Sequence, residues 1–465
     1  MPADVIAVVK SDCPTCTLVR PLLEGLAERG VLELVSEDED AGLVRSYQLG
    51  IETVPTLVRL DDGVETDRIV GWDRDVWRTF LDAGDLDHAL PPHRPGCASK
   101  TADPSVAEAL AVRFEGHRLR SRRIEVGGLE DEMEALFDRG WTDGLPVVPP
   151  TEARVLRMLA GTSRPPDEVV AVVPPDLVEC TVEKVAVNAV MAGCKPDYLP
   201  VVLAAVEAAC TDEFNIHGLL ATTYFSGPMV VVNGPVVRAI GMNSGINALG
   251  QGNRANATIG RALQLVIRNV GGGRPAGVDR ATLGNPGKYT FCFAEDEAGS
   301  PWEPLSVERG FAPEASTVTL FAGEGPRGMV DQQSREPESL TRSFAACLRT
   351  VAHPKLVLAF DAFVVISPEH ARVYREAGWS KAMFKAEIHR LLQIDGAEIV
   401  RDAGGISEGI PHGLADVTLP KFRPDGLGVV HAGGTAGMFS AIVGGWVAGE
   451  TGSQTVTRAI GYGQA

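Results

Sequence analysis

Basic and aromatic residues are scarce in this 465-residue sequence: Lys and Arg number 43 against 61 Asp and Glu, and Phe, Trp and Tyr together make up 6%. A net charge of −18 repels phosphate backbones and anionic lipid headgroups, which argues against nucleic acid and membrane surfaces as partners. A basic start, apolar core and small-residue cleavage site are all missing after Met1, which runs at once into Asp4 and the strand-like Val5-Ile6-Ala7-Val8-Val9. That pattern predicts a cytoplasmic protein. The longest stretch without charge, 426–449, is dense in glycine and interrupted by His431, so buried strands and glycine turns are expected there rather than a spanning helix. No nucleotide-binding fingerprint is present either, neither G-x-x-x-x-G-K-[ST] nor a clean G-x-G-x-x-G after a strand.

What remains is a chain with 45% apolar residues, 51 glycines and 31 prolines, long enough for two or three cores. Eight cysteines are too few for a disulfide scaffold of this length, and in a reducing compartment they are thiols, metal ligands or redox centres. Only Cys13 and Cys16 form a C-x-x-C pair. The run Ile6–Val9 ends at Lys10-Ser11-Asp12, and Cys13-Pro14-Thr15-Cys16 opens a stretch with apolar Leu18, Leu22, Leu23 and Leu26, which reads as strand, turn and helix. A thiol at a helix N-terminus feels the positive end of the macrodipole, so Cys13 is the expected attacking sulfur and Cys16 the resolving one. Half of a zinc site is the alternative, but no second Cys/His pair occurs nearby. Further strands are expected over Val31–Val35, Ile51–Val58 and Arg68–Trp72, and helices before Leu49 and over Asp75–Leu81.

In this order and spacing, with Val54-Pro55-Thr56 similar to the loop that faces the C-x-x-C, residues 1–88 resemble the thioredoxin and glutaredoxin-like domains. The resemblance implies a compact α/β fold and dithiol chemistry, served by a cellular dithiol reductant. Cys-Pro-Thr-Cys departs from ordinary thioredoxins in lacking a preceding Trp and a Gly-Pro centre.

Residues 89–125, rich in proline and small polar residues at their start, predict an exposed linker and a connecting helix, with Cys97 as an incidental thiol. From 126 to 465 apolar strands alternate with helices: strands are expected at Val169–Val173, Met229–Asn233, Thr317–Phe321, Leu356–Phe360, Phe363–Ile366 and Leu427–His431. Helices are expected at Gly128–Arg139, Thr181–Met191, Tyr198–Cys210, Asn256–Asn269, Glu338–Val351, Pro368–Ala377 and Ser380–Leu392. A larger α/β domain follows, with room for two subdomains. Its blocks Gly140-Trp141-Thr142-Asp143-Gly144-Leu145-Pro146, Met191-Ala192-Gly193-Cys194-Lys195-Pro196-Asp197-Tyr198 and Gly287-Lys288-Tyr289-Thr290-Phe291-Cys292 with Ser300-Pro301-Trp302-Glu303-Pro304 resemble an uncharacterised bacterial family associated with the small UGSC selenoproteins. That likeness marks suspect residues without naming a reaction.

Cys194 sits in a Gly-Cys-Lys-Pro turn before a helix, a setting that lowers a thiol pKa. Cys292 shares a strand face with Thr290 and Ala294, and Glu295 and Glu297 lie just beyond. Thiol and carboxylate together suit nucleophile and acid/base, or the same set holds a soft transition metal; taken singly, a strand cysteine is as readily a buried small apolar residue, as Cys180, Cys210 and Cys347 are expected to be. The glycine-amide run from Asn215 to Asn269 offers His217, Asn243, Asn256 and Arg261 as binding groups for an anionic small molecule, with plain turn chemistry as the competing explanation. Gly433-Gly434-Thr435-Ala436-Gly437 after a strand is a second possible cradle. Two functions remain: a thiol-dependent enzyme of small-molecule metabolism kept reduced by the fused domain, or a metal-dependent lyase, hydrolase or ligand-binding protein using Cys194, Cys292 and His217. A homo-oligomer is expected in either case.

Overall fold

A computed structural model describes residues 4–83, 86, 89–115, 118–127, 131–447 and 452–461. The chain divides into two compact units, Met1–Arg118 and Leu119–Ala465.

In the first unit β1 (Val5–Val9) is buried along its whole length. Cys13 then caps α1 (Pro14–Glu28), with Pro14 at the position where a missing N–H costs nothing. Val19, Leu23 and Leu26, spaced along one helical face, are buried. After β2 (Glu33–Ser36) and α2 (Asp40–Gln48) come β3 (Thr53–Val54), β4 (Thr56–Asp61), β5 (Val64–Val70), β6 (Trp72–Asp73) and α3 (Arg74–Phe80). The sheet runs β2-β1-β4-β5, parallel in its first pair and antiparallel in the others. The Val54–Pro55 peptide is cis.

The proline-rich stretch after residue 88 is largely exposed, as expected, but strand pairing makes it a folded part of this unit and not a free tether. Here β7 (His93–Arg94) pairs with β6, β8 (Cys97–Ala98) pairs with β3, and α4 (Pro104–Glu115) follows. The prolines contribute no N–H, but their carbonyls still accept: Pro91 from Trp72 Nε1 at 2.6 Å and Pro95 from Thr15 Oγ1 at 2.7 Å. The division between the two compact units falls after Arg118, inside the 89–125 stretch expected to be linker and connecting helix. His88 lies outside the described residues.

The second unit begins with α5 (Glu132–Asp138), α6 (Glu152–Leu159) and an antiparallel ribbon of β9 (Val169–Val173) and β10 (Val178–Thr181). Positions 128–130, where helix was expected, lie outside the described residues. Next come α7 (Val182–Ala192), α8 (Leu199–Ala209) and α9 (Ile216–Ala221). The main sheet is then built twice from one pattern. In the first copy, β11 (Gly227–Asn233) leads through α10 (Val236–Ala239) and α11 (Arg254–Asn269) to a parallel β12 (Cys292–Ala294). After α12 (Leu305–Glu308), β13 (Thr317–Gly323) returns antiparallel on the other side of β11. A strand β14 (Arg327–Val330) and α13 (Pro337–Arg349) then connect to the second copy.

There β15 (Phe360–Ile366) leads through α14 (Pro368–Glu376), α15 (Lys381–Leu391) and a small excursion of β16 (Gln393–Asp395), α16 (Gly396–Ile399) and β17 (Thr418–Pro420). A parallel β18 (Leu427–His431) and an antiparallel β19 (Phe439–Trp446) complete it. The closing strands are exchanged: β14 of the first copy pairs with β19, and β20 (Val456–Ala459), which follows β19, pairs with β13. Strands β13 and β19 themselves meet at one register pair, Gly323 with Gly445. Both glycines are needed, since a Cβ on Gly445 would lie 2.1 Å from Phe321 Cζ and one on Gly323 2.8 Å from Val443 Cγ1.

Strand alternation sorts the side chains into layers. Val230 and Val232 face the core with α7, α8 and α11; Ala362, Val364 and Ile366 face the core with α13, α14 and α15; Met229, Val231, Phe363 and Val365 meet in a third core between the two halves of the sheet. The class is α/β, as expected. One expected strand is corrected: 356–359 is a loop, and β15 starts at Phe360. Leu358 has φ of 60°, and the carbonyls of Val351, His353 and Leu356 turn inward to accept from Lys421 Nζ at 2.9, 2.8 and 2.7 Å. Among the described residues no helix is long and apolar enough to cross a membrane.

Candidate functional site

Three thiols gather at the start of α1. Cys13 Sγ accepts from the Cys16 backbone N–H at 3.2 Å and, as a thiol, reaches the Val54 carbonyl at 3.5 Å. Val54 is itself paired with Cys97 across β3 and β8, so the half-buried Cys97, expected to be incidental, is the third member. Burial pulls the Cys13 thiol up, but the hydrogen bonds its thiolate takes from the Cys16 and Cys97 thiols and from the backbone N–H groups of Cys16 and Thr15 outweigh it. The net result is a pKa below the ordinary cysteine value. Burial and the neighbouring Cys13 push Cys16 far up, and Cys97 is raised by its contact with Cys13 and by burial. One sulfur is thus poised to ionise and two hold protons beside it.

The sulfurs of the second unit behave otherwise. Cys194 Sγ donates to the Thr258 carbonyl at 3.4 Å, and Cys292 packs two residues along the same helix, where a Cβ on Gly260 would lie 3.0 Å from Cys292 Cβ. The two sit close enough for Cys194 to act electrostatically on Cys292. Both belong to the aliphatic core of α7, α8 and α11. Burial pushes Cys194 up to about 12 and Cys292 higher still, so the neighbouring turn does not lower either thiol. Glu295 is also buried, but its Oε2 accepts from Asn233 Nδ2 at 2.7 Å and from the Leu305 N–H at 2.8 Å, partners other than a thiol. His217 is exposed at the start of α9. Among the described residues no three His, Cys, Asp or Glu side chains group to hold a metal, so Cys194, Cys292 and His217 do not form the expected ligand set.

The amide and guanidinium groups expected to bind an anion are engaged by the protein itself. Arg261 forks onto Asp143, with Nε and Nη2 each 2.8 Å from a carboxylate oxygen, and Nη2 also reaches the Pro146 carbonyl at 2.9 Å. Buried Asn256 accepts from the Asn243 N–H at 3.0 Å and donates to the Asn243 carbonyl at 2.8 Å, stitching the loop before α11 to the helix. Asn243 Oδ1 in turn accepts from the Gly245 N–H. This is the turn-chemistry explanation for the run.

A cleft of about 420 Å³ lies elsewhere, at the carboxyl ends of β15 and β18, lined by loop residues Asn247–Gly250, by the Gly433–Gly437 cradle and by Ser367, Phe439 and Ser440. Sequence reading singled out the glycines and missed the serines and the buried His370 behind them. The only available signal was the strand-to-helix junction Ser367-Pro368-Glu369-His370.

No family model matches the chain. A thioredoxin of Chlamydia muridarum is 37% identical to it over 60 residues, a match that covers 13% of this chain and 59% of that protein. The chain thus spans about three fifths of that curated relative's length. Together with the fold this makes the N-terminal region thioredoxin-like.

Proposed function

We propose that the chain is a thiol–disulfide oxidoreductase acting through Cys13 and Cys16, fused to a large unit of the UGSC-associated kind that handles a small molecule. The Cys13 thiolate attacks a substrate disulfide, forming a mixed disulfide and expelling one substrate sulfur as thiolate. Cys16 then attacks Cys13 Sγ, its proton passing to the departing second sulfur, and the Cys13–Cys16 disulfide remains. Two electrons have moved to the substrate, and a cellular dithiol reductant restores the pair. The observation that carries this reading is geometric: Cys13 caps α1 and its Sγ accepts from the Cys16 N–H at 3.2 Å, which holds the two sulfurs of the C-x-x-C at one helix N-terminus.

An external disulfide is the favoured electron acceptor in this reading: all of these thiols are buried, but Cys13 is held below the ordinary cysteine value by its neighbours while Cys194 and Cys292 are pushed up in an aliphatic core. The alternative, in which the dithiol keeps those two sulfurs reduced for thiol catalysis on an anionic substrate, requires α11 to move away from them. Dithiothreitol as donor and a small aromatic disulfide as acceptor test the proposal. Wild-type protein accelerates the exchange, Cys13→Ser abolishes it, and Cys16→Ser accumulates a mixed disulfide seen by intact-protein mass spectrometry. Equal exchange by wild type and Cys13→Ser would overturn it.

A further inference from the structure

We propose that the cleft at the carboxyl ends of β15 and β18 is a second, serine-based acyl-transfer site, in which Ser440 is the nucleophile, His370 its base and an uncharged ester or thioester the substrate. The pair is defined by geometry. Ser440 Oγ and His370 Nδ1 are 2.7 Å apart, and His370 Nε2 lies 3.0 Å from the Asp331 carbonyl oxygen. A backbone carbonyl only accepts, so in the neutral ring the proton sits on Nε2 and Nδ1 presents its lone pair to the Ser440 hydroxyl. The exchanged strand builds this arrangement: Asp331 directly follows β14, which pairs with the strand that carries Ser440. Asp331 is itself held by the Ser334 and Ser343 hydroxyls.

His370 is fully buried and lies in the first turn of α14. Burial lowers its pKa, against the opposing pull of Asp331 and Glu369, so the ring stays neutral and able to take a proton. Ser440 Oγ also accepts from the Ser367 backbone N–H at 3.3 Å, which fixes the oxygen. Beside it Ser367, 9% exposed, makes no capping bond to α14 and leaves its hydroxyl buried without a partner while lining the cleft. A buried hydroxyl without a partner is costly, and a bound carbonyl oxygen supplies the missing acceptor. The helix N-terminus favours the negative charge that develops on that oxygen. Apart from Asn247, whose Nδ2 donates to the Gln251 carbonyl, the rest of the wall is small or apolar, including Leu249, Val365, Ala436 and Phe439, and no charged side chain lines it among the described residues. This suits a neutral acyl chain.

The chemistry balances without redox. Ser440 Oγ forms a bond to the acyl carbon while its proton passes to His370 Nδ1. The bond to the leaving oxygen or sulfur breaks, and the leaving group takes that proton. Water then attacks the acyl-serine, giving its proton through His370 back to Ser440 Oγ and releasing the carboxylic acid.

p-Nitrophenyl butyrate and a fluorophosphonate provide the test on the full chain, with all accessible thiols first blocked by iodoacetamide so that dithiol chemistry contributes nothing. The expected result is ester hydrolysis, and a phosphonyl adduct located on Ser440 by peptide mass spectrometry in the wild-type protein. Ser440→Ala abolishes both, and His370→Gln slows hydrolysis about 10²-fold or more. Because the adduct is located in the unaltered protein, failure of a variant to fold does not decide the matter. An unlabelled Ser440, or hydrolysis unchanged in a folded Ser440→Ala protein, overturns the proposal and leaves the dithiol reading of the first unit intact.

Discussion

Removing the Cys97 thiol by Cys97→Ala should raise the pKa of Cys13, although Cys97 lies outside the C-x-x-C motif. The structure gives Cys97 one specific act: its S–H supports the Cys13 thiolate from strand β8, held in place by pairing with Val54. A hydrogen bond to a charged acceptor contributes about 1.5–3 kcal/mol. A thiol is a weak donor and Cys97 is only half-buried, which brings the expected contribution down to about 1 kcal/mol, or roughly five-fold in thiolate population near neutral pH. The sign follows directly, because losing a donor to the charged form disfavours that form. Cys97→Ser keeps an O–H donor at the same place and should retain most of the effect. Thiolate ultraviolet absorbance against pH, recorded on Cys16→Ser backgrounds so that one low titration is followed, reads the midpoint without depending on reagent access. An unmoved or lowered midpoint in Cys97→Ala would refute the role assigned to β8.

Two further outcomes are expected. In native protein iodoacetamide should modify Cys13 faster than Cys194 and Cys292, since all three are buried but only Cys13 is held below the ordinary thiol value; labelling of either core thiol as fast as Cys13, read by peptide mass spectrometry, would show that α11 opens and would favour thiol catalysis in the large unit. Lys421→Met should destabilise the chain by about 3 kcal/mol or more, because the 1%-exposed ammonium is the shared donor to three inward-turned carbonyls. Urea unfolding with a midpoint change worth under about 1 kcal/mol would contradict that accounting.

Local signals were enough for the first unit. An apolar run, a Cys-Pro helix start and a Val-Pro-Thr turn act over a few residues each, so the order of elements and the place of Cys13 at the start of α1 could be read before any contact was known. Helices α7, α8, α11, α14 and α15 were legible for the same reason, since the apolar periodicity of each reports its own buried face. The role of residues 93–98 was not legible: proline and glycine content describes a chain without helix or strand period, and only the partner strands β3 and β6 show that its carbonyls and Cys97 are used. Cys194 illustrates the opposite failure. Its turn, its lysine neighbour and the following helix all predict an acidic thiol, but burial against α11 is a property of the packed core, and desolvation outweighs them.

Arg261 was read as a fork for an anionic small molecule, and in the structure the fork is taken by a carboxylate of the chain itself. Which carboxylate it takes depends on Asp143, 118 residues earlier in the chain. The same separation hides Ser440 and His370, which stand 70 residues apart and meet only because β19 and α14 pack against an exchanged strand. The sequence by itself thus determined the elements, the class and the dithiol, all set by neighbours along the chain. Which polar groups are satisfied internally and which are left open to a ligand was decided by tertiary structure, because hydrogen-bond satisfaction and desolvation depend on residues distant in sequence.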